Sequence, residues 1–165
     1  AEGTRFNLVN NYYKPGPASE DIRFFELWTK PELPPTRAFI NGNVMAGYAT
    51  ISQHNEQGIA LKNQKKLNRS DVTAFFKATL ADNPFAIEPS QTLTAEAAYQ
   101  RLIIDGDVGA NKNARGRFSD SVDTRLLSEI RNGKPTFGNG LIDSELSVLA
   151  PGGWAAYQQE FTAHN

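Results

Sequence analysis

The sequence predicts a mainly β protein: the last coils of a parallel β-solenoid over residues 1–60, then a helical and irregular C-terminal extension over residues 61–165, packed on the coils. Three observations predict it. Leu8-Val9-Asn10-Asn11 is echoed by Phe39-Ile40-Asn41-Gly42 at an offset of roughly 31 residues, which suits one solenoid turn carrying a modest loop. Aromatic and β-branched residues broken by Asn and Pro dominate up to about residue 60. Beyond about residue 68, apolar residues recur at helical spacing between Pro and Gly breaks. A pair of unrelated hairpins is the alternative reading of the first part.

The first strand is read from Arg5 to Tyr13 and stops at Lys14-Pro15-Gly16-Pro17, a strong turn signal. Ile22–Trp28 is the second strand, and Pro31, Pro34 and Pro35 then exclude regular structure. Arg37–Met45 is the third. Asn at matched turn positions has a physical use: it tolerates the left-handed backbone, and its amide can hydrogen-bond to the equivalent residue one coil away. Ser70 is read as the cap of a helix reaching Leu80, with Val72, Phe75, Phe76 and Leu80 on one face. Thr94 caps the next, with Ala98, Tyr99, Leu102 and Ile103 inward and Gly106 past its end. Ser119 or Asp120 opens a third, carrying Val122, Leu126, Leu127 and Ile130 and stopping at Gly133. From Lys134 the chain reads as irregular, with Trp154, Tyr157 and Phe161 as anchors.

Composition narrows the function. Seventeen basic and eighteen acidic residues nearly cancel, which offers no electrostatic reason for a nucleic-acid or membrane partner. There is no cysteine, so disulfides, thiolate nucleophiles and Cys-based metal sites are excluded. No apolar run approaches the ~18 residues of a membrane span. The chain starts without an apolar signal segment and enters a strand pattern within a few residues, which reads as a piece of something longer.

Phosphate loops, serine elbows and His-Glu-x-x-His are absent. His54 reads as a surface-loop histidine and His164 as an exposed one near the end. Asp105 and Asp107 bracket Gly106 but bring too few oxygens for calcium, and Asp120 and Asp123 read as first-turn helix acids, so no metal ligand is assigned. The basic set Arg5, Lys14, Arg23 and Arg37 falls wholly in the β part. Guanidinium and ammonium groups are what a uronate carboxylate needs, and Tyr12 and Tyr13 beside Lys14 offer an apolar platform for a sugar face. The bland alternative divides the tyrosines between core and surface and leaves Lys14 solvated.

The run Asn10-Asn11-Tyr12-Tyr13-Lys14-Pro15-Gly16-Pro17 resembles a stretch in the later coils of pectate lyases. Phe39 to Gly47, Asn83-Pro84-Phe85, Ala97-Ala98-Tyr99, Asp120 to Arg125, Gly140-Leu141-Ile142-Asp143-Ser144 and Gly152-Gly153-Trp154 resemble segments of the same family in the same order. Ala155 departs from the family's Pro after Trp154, and Ser119 stands where the family often has Arg. The resemblance implies the C-terminal part of a secreted or periplasmic lyase with a right-handed parallel β-helix, cleaving de-esterified pectin (polygalacturonate) by calcium-assisted β-elimination with an arginine as base. It places the calcium ligands and the base outside this chain, so the catalytic residues are unknown and the chain alone is expected to be inactive. Arg5 and Lys14 are the residues expected to line the groove. The expected partners are the acidic polysaccharide and an N-terminal β-helix portion or another chain, pairing with Phe6–Tyr13. A non-catalytic acidic-polysaccharide-binding module and a structural β-helix cap are the alternatives.

Overall fold

Asn10 ends the first strand earlier than its apolar pattern predicts. Its φ of 57° lies in the left-handed region, which Asn tolerates better than most residues. The computed structural model therefore shows β1 at Arg5–Val9 and a separate β2 at Tyr12–Tyr13. It describes residues 3–28, 34–62, 67–87, 91–108, 112–113, 116–117, 119–138, 142, 144–149 and 151–162. Pro31, Gly140, Leu141, Asp143 and His164 lie outside them. β3 is Phe25–Trp28 and β4 is Arg37–Asn41. Gly42, with φ 68°, makes the second break, before β5 at Val44–Met45.

The last of these strands, β6, is Ile59–Lys62. Each strand pairs in parallel with its counterpart one repeat later: β1 with β4, β2 with β5, β3 with β6. The register sets Val9 against Asn41 and Tyr12 against Val44. Asn11 meets Asn43, 32 positions on, rather than Gly42, so the repeat runs one residue out of the register expected from the sequence. The amide contact expected between equivalent residues forms at this pair: Asn11 Nδ2 donates to Asn43 Oδ1 at 2.9 Å. Asn43 Nδ2 donates onward to Asn55 Oδ1 at 3.1 Å and to the Leu8 carbonyl at 2.7 Å.

The expected fold class is corrected. The chain is 42% helical and 17% strand, so it is not mainly β, and among the described residues no closed or solenoid sheet forms. In place of the last coils of a right-handed parallel β-helix there are short two-stranded parallel sheets. Local sequence explains this. Helix α1 (Ala49–Gln53) and a 3-10 turn at Asn55–Gly58 interrupt the stretch read as β. Among the described residues the outer edge of β4 receives only a single parallel bridge, Ala38 with Leu80, in which the Ala38 carbonyl accepts from Ala81 N–H at 2.9 Å, just past α2 (Arg69–Thr79). Leu27, Ile59 and Leu61 form a core, and Phe25, Ile40, Val72, Phe75, Phe76 and Leu80 pack on it.

The helix boundaries follow their caps. Asn68, not Ser70, caps α2, its Oδ1 accepting from Asp71 N–H at 2.9 Å. Thr94 caps α3 (Ala95–Tyr99), accepting from Ala97 N–H at 3.2 Å. That helix runs on as a π-helical turn, Gln100–Ile104. The wider turn shifts the side-chain phase, which is why Leu102, expected inward, is exposed. Asp120 caps α4 (Ser121–Asn132), and Gly133, at φ 65°, ends it. The tail expected to be irregular forms α5, Gly153–Thr162. Trp154, Tyr157 and Phe161 stack along it edge to face, with ring centroids 5.8 and 5.2 Å apart.

The chain divides into two compact units, residues 1–14 with 21–98 and residues 15–20 with 99–165. In the second, Asp120 Oδ2 accepts from the Tyr157 hydroxyl at 2.9 Å and Glu160 from Ser121 N–H at 2.7 Å, tying α5 to the start of α4. Arg131, on the last turn of α4, donates to the Ile103 and Ile104 carbonyls at the end of the π turn. Among the described residues no helix is long and apolar enough to cross a membrane.

Candidate functional site

Alternation along a strand sends successive side chains to opposite faces. On β1, Phe6 turns inward, its ring 5.6 Å from that of Phe25. Arg5, Asn7 and Val9 therefore share the outer face. On β4, Ala38 and Ile40 face the core, and Arg37, Phe39 and Asn41 look out. The parallel register sets Arg5 directly opposite Arg37. Neighbouring strands lie about 4.8 Å apart, so two exposed guanidinium-bearing residues stand side by side. No ion pair between either of them and an acidic residue is found among the described residues. Like charges directly opposed across a strand pair are destabilising; an anion with more than one carboxylate would relieve that repulsion.

Two residues along the same face, the Asn7 amide is clamped to the Phe85 main chain. Its Nδ2 donates to the Phe85 carbonyl at 2.8 Å, and its Oδ1 accepts from the Phe85 N–H at 2.9 Å. That clamp fixes the strand beside the arginines. Among the described residues no strand pairs with the second edge of β1. Arg37 N–H donates to the Thr4 carbonyl and Asn10 N–H to the Asn41 carbonyl, so the even-numbered positions of β1 bond to β4. The N–H groups of Arg5, Asn7 and Val9 point the other way.

Lys14 is exposed and follows β2, on a different strand pair from Arg5. The structure thus sets Arg37, rather than Lys14, beside Arg5. Tyr13 is half-buried and packs on Phe24 with ring centroids 4.8 Å apart, and burial pushes its phenol above the usual tyrosine range. Arg23 is held by Asp21 at 2.7 Å and Glu26 at 3.5 Å. The open aromatic surface lies elsewhere, at Trp28, which is 61% exposed. The signal was in the alternation of β3: Phe25 and Leu27 inward, Glu26 and Trp28 outward.

The residues suspected of metal chemistry have other work. Asp105 accepts from the Gln100 amide at 2.9 Å and Asp107 from Arg101 Nε at 2.7 Å. Asp120 caps α4, and Asp123 lies in its first turn. Among the described residues no three His, Cys, Asp or Glu side chains group so as to hold a metal ion, and the described carboxylates do not fit the calcium that the resemblance implies. His54 is exposed at the end of α1, with Nδ1 3.7 Å from Glu56. No protein-family model matches the chain, and no curated protein matches it.

Proposed function

We propose that the chain binds a de-esterified, pectin-like polyuronate as a non-catalytic part of a pectate lyase-type enzyme, with the base and calcium ligands contributed from outside this sequence. The observation that carries the reading is the cross-strand pair Arg5 and Arg37: two exposed cations in register, on a strand face braced by the Asn7–Phe85 clamp. Guanidinium groups match carboxylates bidentately, and a polyuronate offers successive carboxylates to such a pair. Lys14 supplies a further exposed cation. The open edge of β1 is where an extended segment of the partner would add its main-chain hydrogen bonds.

The test is calorimetric titration of the chain with oligogalacturonate at low and high salt. Replacing both arginines, R5Q with R37Q, is expected to weaken binding at least tenfold at low salt, since charge-assisted contacts contribute about 1.5–3 kcal/mol each. Added salt should weaken the wild type more than the variant. Equal affinities would refute the reading.

A further inference from the structure

The geometry points to a second subsite on this chain, a place where one acidic sugar ring stacks on Trp28 and hands its carboxylate to Lys62. It rests on the polyuronate reading above, but its residues are separate from Arg5 and Arg37. In the register of β3 with β6, Trp28 lies opposite Lys62 and Glu26 opposite Ala60. All four belong to the outer face, since Phe25, Leu27, Ile59 and Leu61 take the core side. Trp28 is the most exposed of the aromatic side chains described, at 61%. Lys62 Nζ stands 4.6 Å from the centre of the Trp28 ring and 3.6 Å from Glu26 Oε1. Glu26 is in turn 3.5 Å from Arg23, and Arg23 2.7 Å from Asp21.

Each part has a role in holding a uronate. An indole face takes the apolar C–H face of a pyranose, as aromatic rings take flat apolar surfaces generally. The ammonium already at the ring reaches a carboxylate carried on the sugar's edge. Glu26, placed between Arg23 and Lys62, accepts from ring hydroxyls. An apolar protein partner would instead bury Lys62 and Glu26 against itself at a desolvation cost, so the charge pattern favours a small polar ligand.

The chain has two tryptophans. W154F, with its fold checked by circular dichroism, leaves Trp28 as the sole indole. Titrating this protein with trigalacturonate is expected to shift the Trp28 emission saturably. On the same background, W28A is expected to lower affinity about tenfold, and K62Q to do so for the acid but not for its methyl ester. Binding of trigalacturonate with unchanged emission and unchanged W28A affinity would overturn the subsite while leaving the Arg5–Arg37 reading standing. No binding by the wild-type chain would overturn both. A dimer lost in W28A, with sugar affinity intact, would assign the surface to self-association and overturn the subsite.

Discussion

Replacing Asn43 with Ala removes four side-chain hydrogen bonds from a residue that is fully buried. Its Nδ2 donates to the Leu8 carbonyl at 2.7 Å and to Asn55 Oδ1 at 3.1 Å, and its Oδ1 accepts from Asn11 N–H at 3.0 Å and Asn11 Nδ2 at 2.9 Å. At about 1 kcal/mol net per bond the loss would be about 4 kcal/mol. Some is recovered. Asn55 Oδ1 keeps the Asn43 main-chain N–H at 2.8 Å, and Asn11, which is exposed, can turn to water. The expected cost is therefore about 3 kcal/mol, a large part of the 5–15 kcal/mol that holds a typical domain. Urea unfolding followed by tryptophan emission reads it as a midpoint lowered by more than about 1 M, with little change in slope. Asn11→Ala, at an exposed residue with two side-chain hydrogen bonds, to Asn43 Oδ1 and the Val9 carbonyl, should cost less than half as much, and the double variant should show coupling of about 1 kcal/mol. A midpoint for Asn43→Ala within error of wild type would refute the claim that this ladder holds the strand pairs in register.

Gly42→Ala should destabilise by more than the ~1 kcal/mol of an ordinary left-handed glycine replacement, because the new Cβ would be driven into Asn10 Oδ1. Gly47→Ala, at φ 85° with open space around it, is the control and should lose less by the same unfolding assay. The Glu129 carboxyl is raised by burial, but more strongly lowered by hydrogen bonds from Thr136 and Arg125, and ends below its usual 4.5. A carboxyl lowered in the folded state contributes stability above its unfolded value and loses it as pH falls through the folded one. Glu129→Gln should therefore be less stable than wild type at pH 7, and the gap should narrow as thermal unfolding is repeated below about pH 4.5.

What was legible in the sequence was local chemistry. Thr94, Asp120 and Gly133 mark their helix ends because caps depend on a few adjacent residues. The repeat was legible for the same reason, since left-handed turn residues announce themselves, although the sequence pattern sets Asn41 against Asn10, whereas Gly42 takes the equivalent left-handed place. Sheet extent was not legible. Whether a strand gains a neighbour depends on residues far along the chain, and here Ala81 takes the free carbonyl of Ala38. The tail helix was hidden by Gly152-Gly153, which mark its start rather than a run of loop. At the candidate site, charge type was legible at Arg5, but its neighbour was not. Only the pairing register brings Arg37, and not Lys14, against it.

That register also separates a binding role for the arginines from a structural one. A pair kept for stability should lower stability when it is neutralised. Arg5 and Arg37 repel each other, and among the described residues no acid pairs with either. The R5Q/R37Q variant should thus be as stable as wild type, or more so, in the absence of ligand. A ligand that binds the native state raises its stability by RT ln(1 + [L]/Kd), so oligogalacturonate should raise the wild-type midpoint clearly more than that of the variant, which keeps Trp28 and Lys62. The two effects have opposite signs for the same substitutions, as expected where a surface is shaped for function at some cost to the free protein. A variant that is less stable without ligand and equally stabilised with it would show that the pair serves the fold and that the sugar binds elsewhere.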